Sequence, residues 1–256
     1  MLLKVRILGC SGGIGGALRT TSFLLDDDVL IDAGTGVGNL TLEEMCRIDH
    51  IFVTHSHLDH IASIPLLVDS VGYLRNKPIT VHAIAETLEA LQKHIFNAVI
   101  WPDFARIPSP ESPYLRYETV AMGKAVDLAG RKITPLPANH TVPAVGYHLD
   151  SGAGSLVFSG DTTTNDALWE AANRIANLKY LIVETAFSNS ELDVAILSKH
   201  LCPSLLGEEL RKFKGGVPVY ITHLKPGEMG LIMQEVERDA AMMKPEMLRN
   251  DQVFEF

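Results

Sequence analysis

Residues 52–60 read FVTHSHLDH, a strand-like apolar run followed by three histidines and an aspartate. With ten histidines in 256 residues, a His-x-His-x-Asp-His pattern arises by chance on the order of 10⁻³ times in a chain this long. A histidine-rich solvated turn is the bland alternative, and it needs no geometry. Geometry favours metal. Residues 49–54, DHIFVT, are β-branched and aromatic between polar ends, which predicts a buried strand whose carboxyl end delivers His55. His55 and His57 lie two apart in extended chain and so project to one side. From Leu58 onward LDHIASIPLLVDSVGYLR has apolar residues near helical spacing, so Asp59 and His60 fall at a helix start, where adjacent side chains diverge. Two pairs for two ions suit this turn better than four ligands on one. Zinc in enzymes usually keeps about three protein ligands and an open position, so each pair requires partners later in the chain.

Three polar residues stand at the ends of strand-like runs further on: His140 after KITPLPAN, Asp161 after SLVFSG and His223 after VPVYIT. Together with HSHLDH they resemble the metallo-β-lactamase superfamily over nearly the whole chain. The resemblance implies an α/β fold, a four-layer αββα sandwich with a two-metal site at one edge. By position, His55, His57 and His140 would hold the first metal, and Asp59, His60 and His223 the second. Asp161 would bridge them. The HLDHIASIPLL, NAVIWPDFARIP and SKHLCP stretches are similar to the class II 3′,5′-cyclic nucleotide phosphodiesterases. VETAF at residues 183–187, followed by His200, resembles the Glu and His motifs of the related tRNA 3′-processing endonucleases.

The implied activity is hydrolysis of cyclic AMP or cyclic GMP to the 5′-nucleotide, by in-line attack of a metal-bridging hydroxide on phosphorus. His200 is the expected donor of a proton to the leaving 3′ oxygen, held by Glu184, and Asp59 counts among both the catalytic residues and the ligands. A satisfied helix-end histidine is the structural alternative for His200. RNA 3′-end processing shares every ligand but wants a basic arm, and none is visible. A thioester or lactam hydrolase would leave His200 without evident work, and a metal-bound module that has lost catalysis fits poorly with a complete ligand set. Two divalent ions per chain are expected. Zinc suits the His and Asp ligands, and manganese and iron tolerate the same set.

A net charge of −9 disfavours a polyanionic partner, since nonspecific nucleic-acid affinity comes largely from Lys and Arg neutralising phosphates. A small-molecule cyclic nucleotide remains a suitable substrate because metals supply local positive charge. Cys10, Cys46 and Cys202 show no CxxC or zinc-finger spacing, so buried free thiols in a reducing compartment are expected, and the cytoplasm is the predicted location. MLLKVRILG is too short and alternating for a signal sequence, and no apolar run reaches the ~18 residues of a membrane span. Family resemblance suggests a homodimer.

The length suits one domain over residues 1–256. Residues 85–98 read as an amphipathic helix broken by IWPDFARIPSPESPY, so a subfamily insertion is placed around residues 85–114. Trp101 and Phe104 there are candidates either to stack on a base or to form the insertion's aromatic core. Arg106 and Lys225 are candidate phosphate contacts, although surface charge explains either one alone. The GCSGGIGG run at residues 9–16 fails as a dinucleotide fingerprint because no GxGxxG register fits and strand-like residues follow it. A tight loop near the metal rim, presenting backbone N–H groups to an anion, is expected instead. Asp32 resembles a residue that orients a metal-bound histidine.

Overall fold

The computed structural model of the protein describes residues 2–256. The first half of the chain runs β1 (Lys4–Gly9), β2 (Ser22–Leu25), β3 (Val29–Ile31), α1 (Leu42–Arg47), β4 (His50–Phe52), α2 (Leu58–Ile61), α3 (Ser63–Val71), β5 (Ile79–Ala83) and α4 (Ala85–His94). A short hairpin, β6 (Pro108–Ser109) and β7 (Ser112–Pro113), then leads to β8 (Leu115–Thr119). The second half runs β9 (Val126–Leu128), β10 (Arg131–Pro137), β11 (Val145–Asp150), β12 (Ser155–Phe158), α5 (Asp166–Ala172) and β13 (Leu178–Glu184). It continues with α6 (Leu192–Ser198), α7 (Pro203–Leu210), β14 (Val219–Thr222), α8 (Met229–Asp239), β15 (Glu246–Met247) and β16 (Val253–Glu255).

Two seven-stranded sheets result, ordered β16-β1-β2-β3-β4-β5-β8 and β15-β14-β13-β12-β11-β10-β9. Their strands carry apolar residues on both faces because both faces are covered. Along β2, for example, Leu24 joins one core while Phe23 and Leu25 join another, the period of two expected of a strand. One core packs the first sheet on helices through Leu30, Ile51, Ile64 and Val68. A second lies between the sheets around Phe23, Phe52, Tyr147 and Phe158. The third packs the other sheet on helices through Trp169, Leu206, Ile232 and Val236. Three cores between four layers make the αββα sandwich. Arg131 clamps the two sheets at one end, its guanidinium donating to Asp28 at 2.9 Å across the gap.

The strand expected before His55 appears as β4, and the helical stretch expected from Leu58 as α2 and α3. The helix expected to reach residue 98 stops at His94, because Asn97 turns the chain by accepting from the N–H groups of Val99 and Ile100. Phe104 is buried in the first core and Trp101 packs against the same cluster, so these rings form the insertion's interior rather than a platform for a base. Arg106 is exposed and pairs with Asp103 at 3.3 Å. Among the described residues no helix is long and apolar enough to cross a membrane, and all three cysteines are free.

Candidate metal centre

The HSHLDH stretch leaves β4 as extended chain and enters α2 with His57 at the N-cap, so the helix start splits the ligands as its geometry requires. The loop is pinned from both sheets. Val145 N–H donates to the Thr54 carbonyl at 3.0 Å, the Tyr147 hydroxyl donates to the Val53 carbonyl at 2.9 Å, and Thr54 N–H donates to Asp32 at 2.7 Å.

Two groups of potential ligands meet at this rim. His55, His57 and His140 form one; Asp59, His60, Asp161 and His223 form the other. In the first, His57 Nδ1 lies 3.1 Å from His55 Nε2 and 3.1 Å from His140 Nε2. The outer nitrogens of the latter two are already used. His140 Nδ1 donates to the Lys199 carbonyl at 3.0 Å. His55 Nδ1 donates to the Thr54 hydroxyl at 3.0 Å, which itself donates to Asp32 at 2.8 Å. Both Nε2 lone pairs therefore face one point, and His57 can offer a proton to only one of them. Burial, foremost, pushes His55 well down and His140 down to about 4, so all three rings act as neutral donors of electron pairs. Ligands bound at about 2.0–2.1 Å in a tetrahedral zinc site stand about 3.3 Å apart. The donor set fits a divalent ion.

In the second group Asp161 Oδ2 lies 3.3 Å from His60 Nε2 and 3.4 Å from His223 Nε2. The same oxygen is 3.7 Å from His55 Nε2 in the first group, which puts Asp161 between them. Asp59 Oδ2 stands 3.7 Å from both His60 and His223. Burial works against charge on His60, yet Asp161 and Asp32 outweigh it and hold its proton affinity well above the imidazole range. Burial pushes His223 down to about 3. Burial raises Asp161, but His223 and His60 reverse this and hold its carboxyl well below normal. A divalent ion between these groups would compete with protons for the same atoms. Asp161 Oδ1 and His60 Nε2 are buried without a hydrogen-bond partner, as ligand atoms would be.

Asp32 accepts from His60 Nδ1 at 2.7 Å and from both polar groups of Thr54, as its resemblance to an orienting residue implied. His223 takes up the left-handed conformation, φ 66°, rare for a residue with a side chain and concentrated at functional positions. Gly12 lies directly on it: a Cβ at Gly12 would fall 2.4 Å from the His223 carbonyl oxygen. The glycine loop thus sits at the rim as expected. Its Ser11 and Gly12 N–H groups, however, already donate to the Arg19 and Leu224 carbonyls, so they are not offered to an anion.

His200 follows the left-handed cap of α6, Lys199, at φ 52°. Its Nδ1 is 2.7 Å from Glu184 Oε1, and its ring lies 4.8 Å from His140 and 5.1 Å from His223 between centroids. Glu184 also accepts from Thr162 N–H at 3.1 Å and Leu201 N–H at 3.3 Å. Burial opposes charge on His200, but Glu184 overcomes it and raises the imidazole above its usual range. His200, Asp161 and His140 could themselves surround a cation. Sequence reasoning missed Thr54 and the Lys199 carbonyl. The position of Thr54 at the strand end, beside His55, was the one available signal for the former.

A family model described as a beta-lactamase superfamily domain matches residues 27–243. The chain is 25% identical over 238 residues to a probable 3′,5′-cyclic-nucleotide phosphodiesterase of Yersinia pestis, covering 84% of this chain and 67% of that protein. It is 31% identical over 158 residues to ribonuclease Z of Halorubrum lacusprofundi, covering 59% of this chain and 48% of that one. It therefore spans about two thirds and about half of these relatives. The crystal structure of unliganded yeast PDE1 superposes with a TM-score of 0.81 at 18% identity, over 98% of this chain and 99% of that one. A family match over this much of the sequence, on a sandwich with the same four layers, makes the chain a member of the metallo-β-lactamase superfamily.

Proposed function

We propose that the protein is a metal-dependent phosphoric diester hydrolase that opens 3′,5′-cyclic nucleotides to 5′-nucleotides. The observation that carries this reading is the buried His200–Glu184 pair beside the two ligand groups. A phosphodiester leaves as a poor alkoxide, so its departure needs a proton, and a raised imidazole aimed by a carboxylate is suited to give one. Hydrolysis of a lactam or thioester leaves this pair unexplained.

Two divalent ions, when bound by His55, His57 and His140 and by Asp59, His60 and His223 with Asp161 between, supply an activated water and neutralise phosphate charge. The chain's own work is to hold these groups. Asp32 and Thr54 fix the faces of His60 and His55, and the Lys199 carbonyl fixes that of His140. Glu184 accepts the Nδ1 proton of His200 and so leaves the Nε2 proton to pass to the 3′ oxygen. Asp59, half-buried at the mouth, completes the second group. The same reading takes residues 1–256 as one hydrolase domain, acting as a cytoplasmic homodimer.

The net charge of −9 and the phosphodiesterase relative support a small substrate. The ribonuclease Z relative supports a second reading, RNA 3′-end processing, through the same His200–Glu184 pair. Turnover of cyclic AMP, cyclic GMP and a precursor tRNA by one preparation of known metal content separates them. Cyclic nucleotides are expected to be cleaved in preference. Efficient cleavage of the tRNA without cyclic nucleotide turnover would reverse the assignment.

A further inference from the structure

Lys225 lies two residues beyond His223, half-buried at the rim. Its ammonium donates to the Gly12 carbonyl at 2.9 Å, which tethers it while leaving its other N–H groups uncommitted. Gly12 rests on His223, and a Cβ there would stand 3.0 Å from the ring carbon Cδ2 of that histidine. On its other side the ammonium stands 5.7 Å over the Phe187 ring, and that ring meets His200 edge-on at 5.7 Å between centroids. The backbone is fixed as well, with Lys225 N–H donating to the Ala186 carbonyl at 3.1 Å. A tethered cation is therefore mounted between a candidate ligand and the proposed proton donor.

Charge balance indicates its use. The carboxylates of Asp32, Asp59, Asp161 and Glu184 in and beneath the site offset the charge of two divalent ions, so this set alone offers an incoming phosphodiester anion little net attraction.

We infer that Lys225 is the phosphate-facing cation of this site and holds a non-bridging oxygen of the diester substrate and of the phosphomonoester product. The inference rests on the phosphodiester reading above. It assigns Lys225 a contact with substrate that surface exposure alone would not suggest, and it makes product release sensitive to this residue.

The test compares wild type, Lys225→Gln and Lys225→Arg, each loaded with metal. Glutamine keeps a hydrogen-bond donor but carries no charge; arginine keeps a donor and the charge. Calorimetric binding of inorganic phosphate and of 5′-AMP is measured beside metal content, unfolding temperature and hydrolysis of bis(4-nitrophenyl) phosphate. Lys225→Gln is expected to weaken both ligands about 10- to 100-fold, the span of a hydrogen bond to a charged group, with metal content and unfolding temperature unchanged. Lys225→Arg should restore binding to within a few-fold. Equal affinities in wild type and Lys225→Gln, with the diester still hydrolysed, overturn the role of Lys225 and leave the phosphodiesterase reading standing. A wild-type protein that neither binds phosphate nor cleaves the diester overturns both.

Discussion

Removal of the His200 imidazole separates phosphodiester chemistry from the other hydrolyses this superfamily fold could perform. His200 Nδ1 is 2.7 Å from Glu184 Oε1, and the pair is buried, so the ring is aimed rather than mobile. A positioned proton donor contributes about 10²–10⁴ in rate, or about 3–5 kcal/mol at 1.36 kcal/mol per tenfold. His200→Ala should lose that much kcat on a cyclic nucleotide while retaining both metal ions. On bis(4-nitrophenyl) phosphate, whose leaving group scarcely needs the proton, the same variant should be nearly normal. The pH dependence follows from the raised imidazole: an acid must be protonated, so cyclic nucleotide turnover falls as pH rises through a value above 6.5. Glu184→Gln removes the charge that lifts His200 and should move this alkaline limb to lower pH. Its rate loss should be smaller, because the amide oxygen can still face Nδ1 while its NH₂ group opposes Leu201 N–H. Steady-state rates on both substrates, with metal analysis of each variant, decide the matter. Equal losses on both substrates, or a metal ion lost from His200→Ala, would refute the assignment of His200 as an acid that binds no metal.

Elemental analysis of the purified protein should find close to two divalent ions per chain; His57→Ala or Asp161→Ala should abolish hydrolysis with the far-ultraviolet dichroism intact, and full activity after metal stripping would contradict this. Asp32→Asn replaces an oxygen that accepts from Thr54 or His60 with an amide that can only donate. Metal affinity should fall about 10- to 100-fold and stability by about 1–3 kcal/mol for the donor left unpaired, measured by competition with a chelator and by denaturant unfolding. Wild-type affinity in that variant would remove Asp32 from the support of the site.

The candidate ligands were legible because strands announce themselves by β-branched runs and the histidines stand just past their ends. The helix start beyond His57 matches the sequence pattern as well, with α2 beginning at Leu58. The ends of α4 and β4 did not, since Asn97 ends the one by a side-chain turn and the Thr54–Asp32 hydrogen bond draws the other out of its ladder early. The partners of His140 and His55 were less legible still. A main-chain carbonyl such as that of Lys199 leaves no trace in residue type, and the hydroxyl of Thr54 gains its role only when Asp32, 22 residues distant, comes beside it. Trp101 and Phe104 were ambiguous because an aromatic ring serves a core and a ligand equally well until its burial is known.

The distribution of the two ligand groups bears on how a newly made chain acquires metal. A nascent polypeptide that has left the ribosome only as far as β8 already carries His55, His57, Asp59 and His60, but it lacks His140, Asp161 and His223. Neither candidate ligand group is complete at that stage, since the first still lacks His140 and the second Asp161 and His223. Both groups are therefore completed late, when the second sheet brings His140, Asp161 and His223 to the rim and His223 takes its left-handed turn against Gly12.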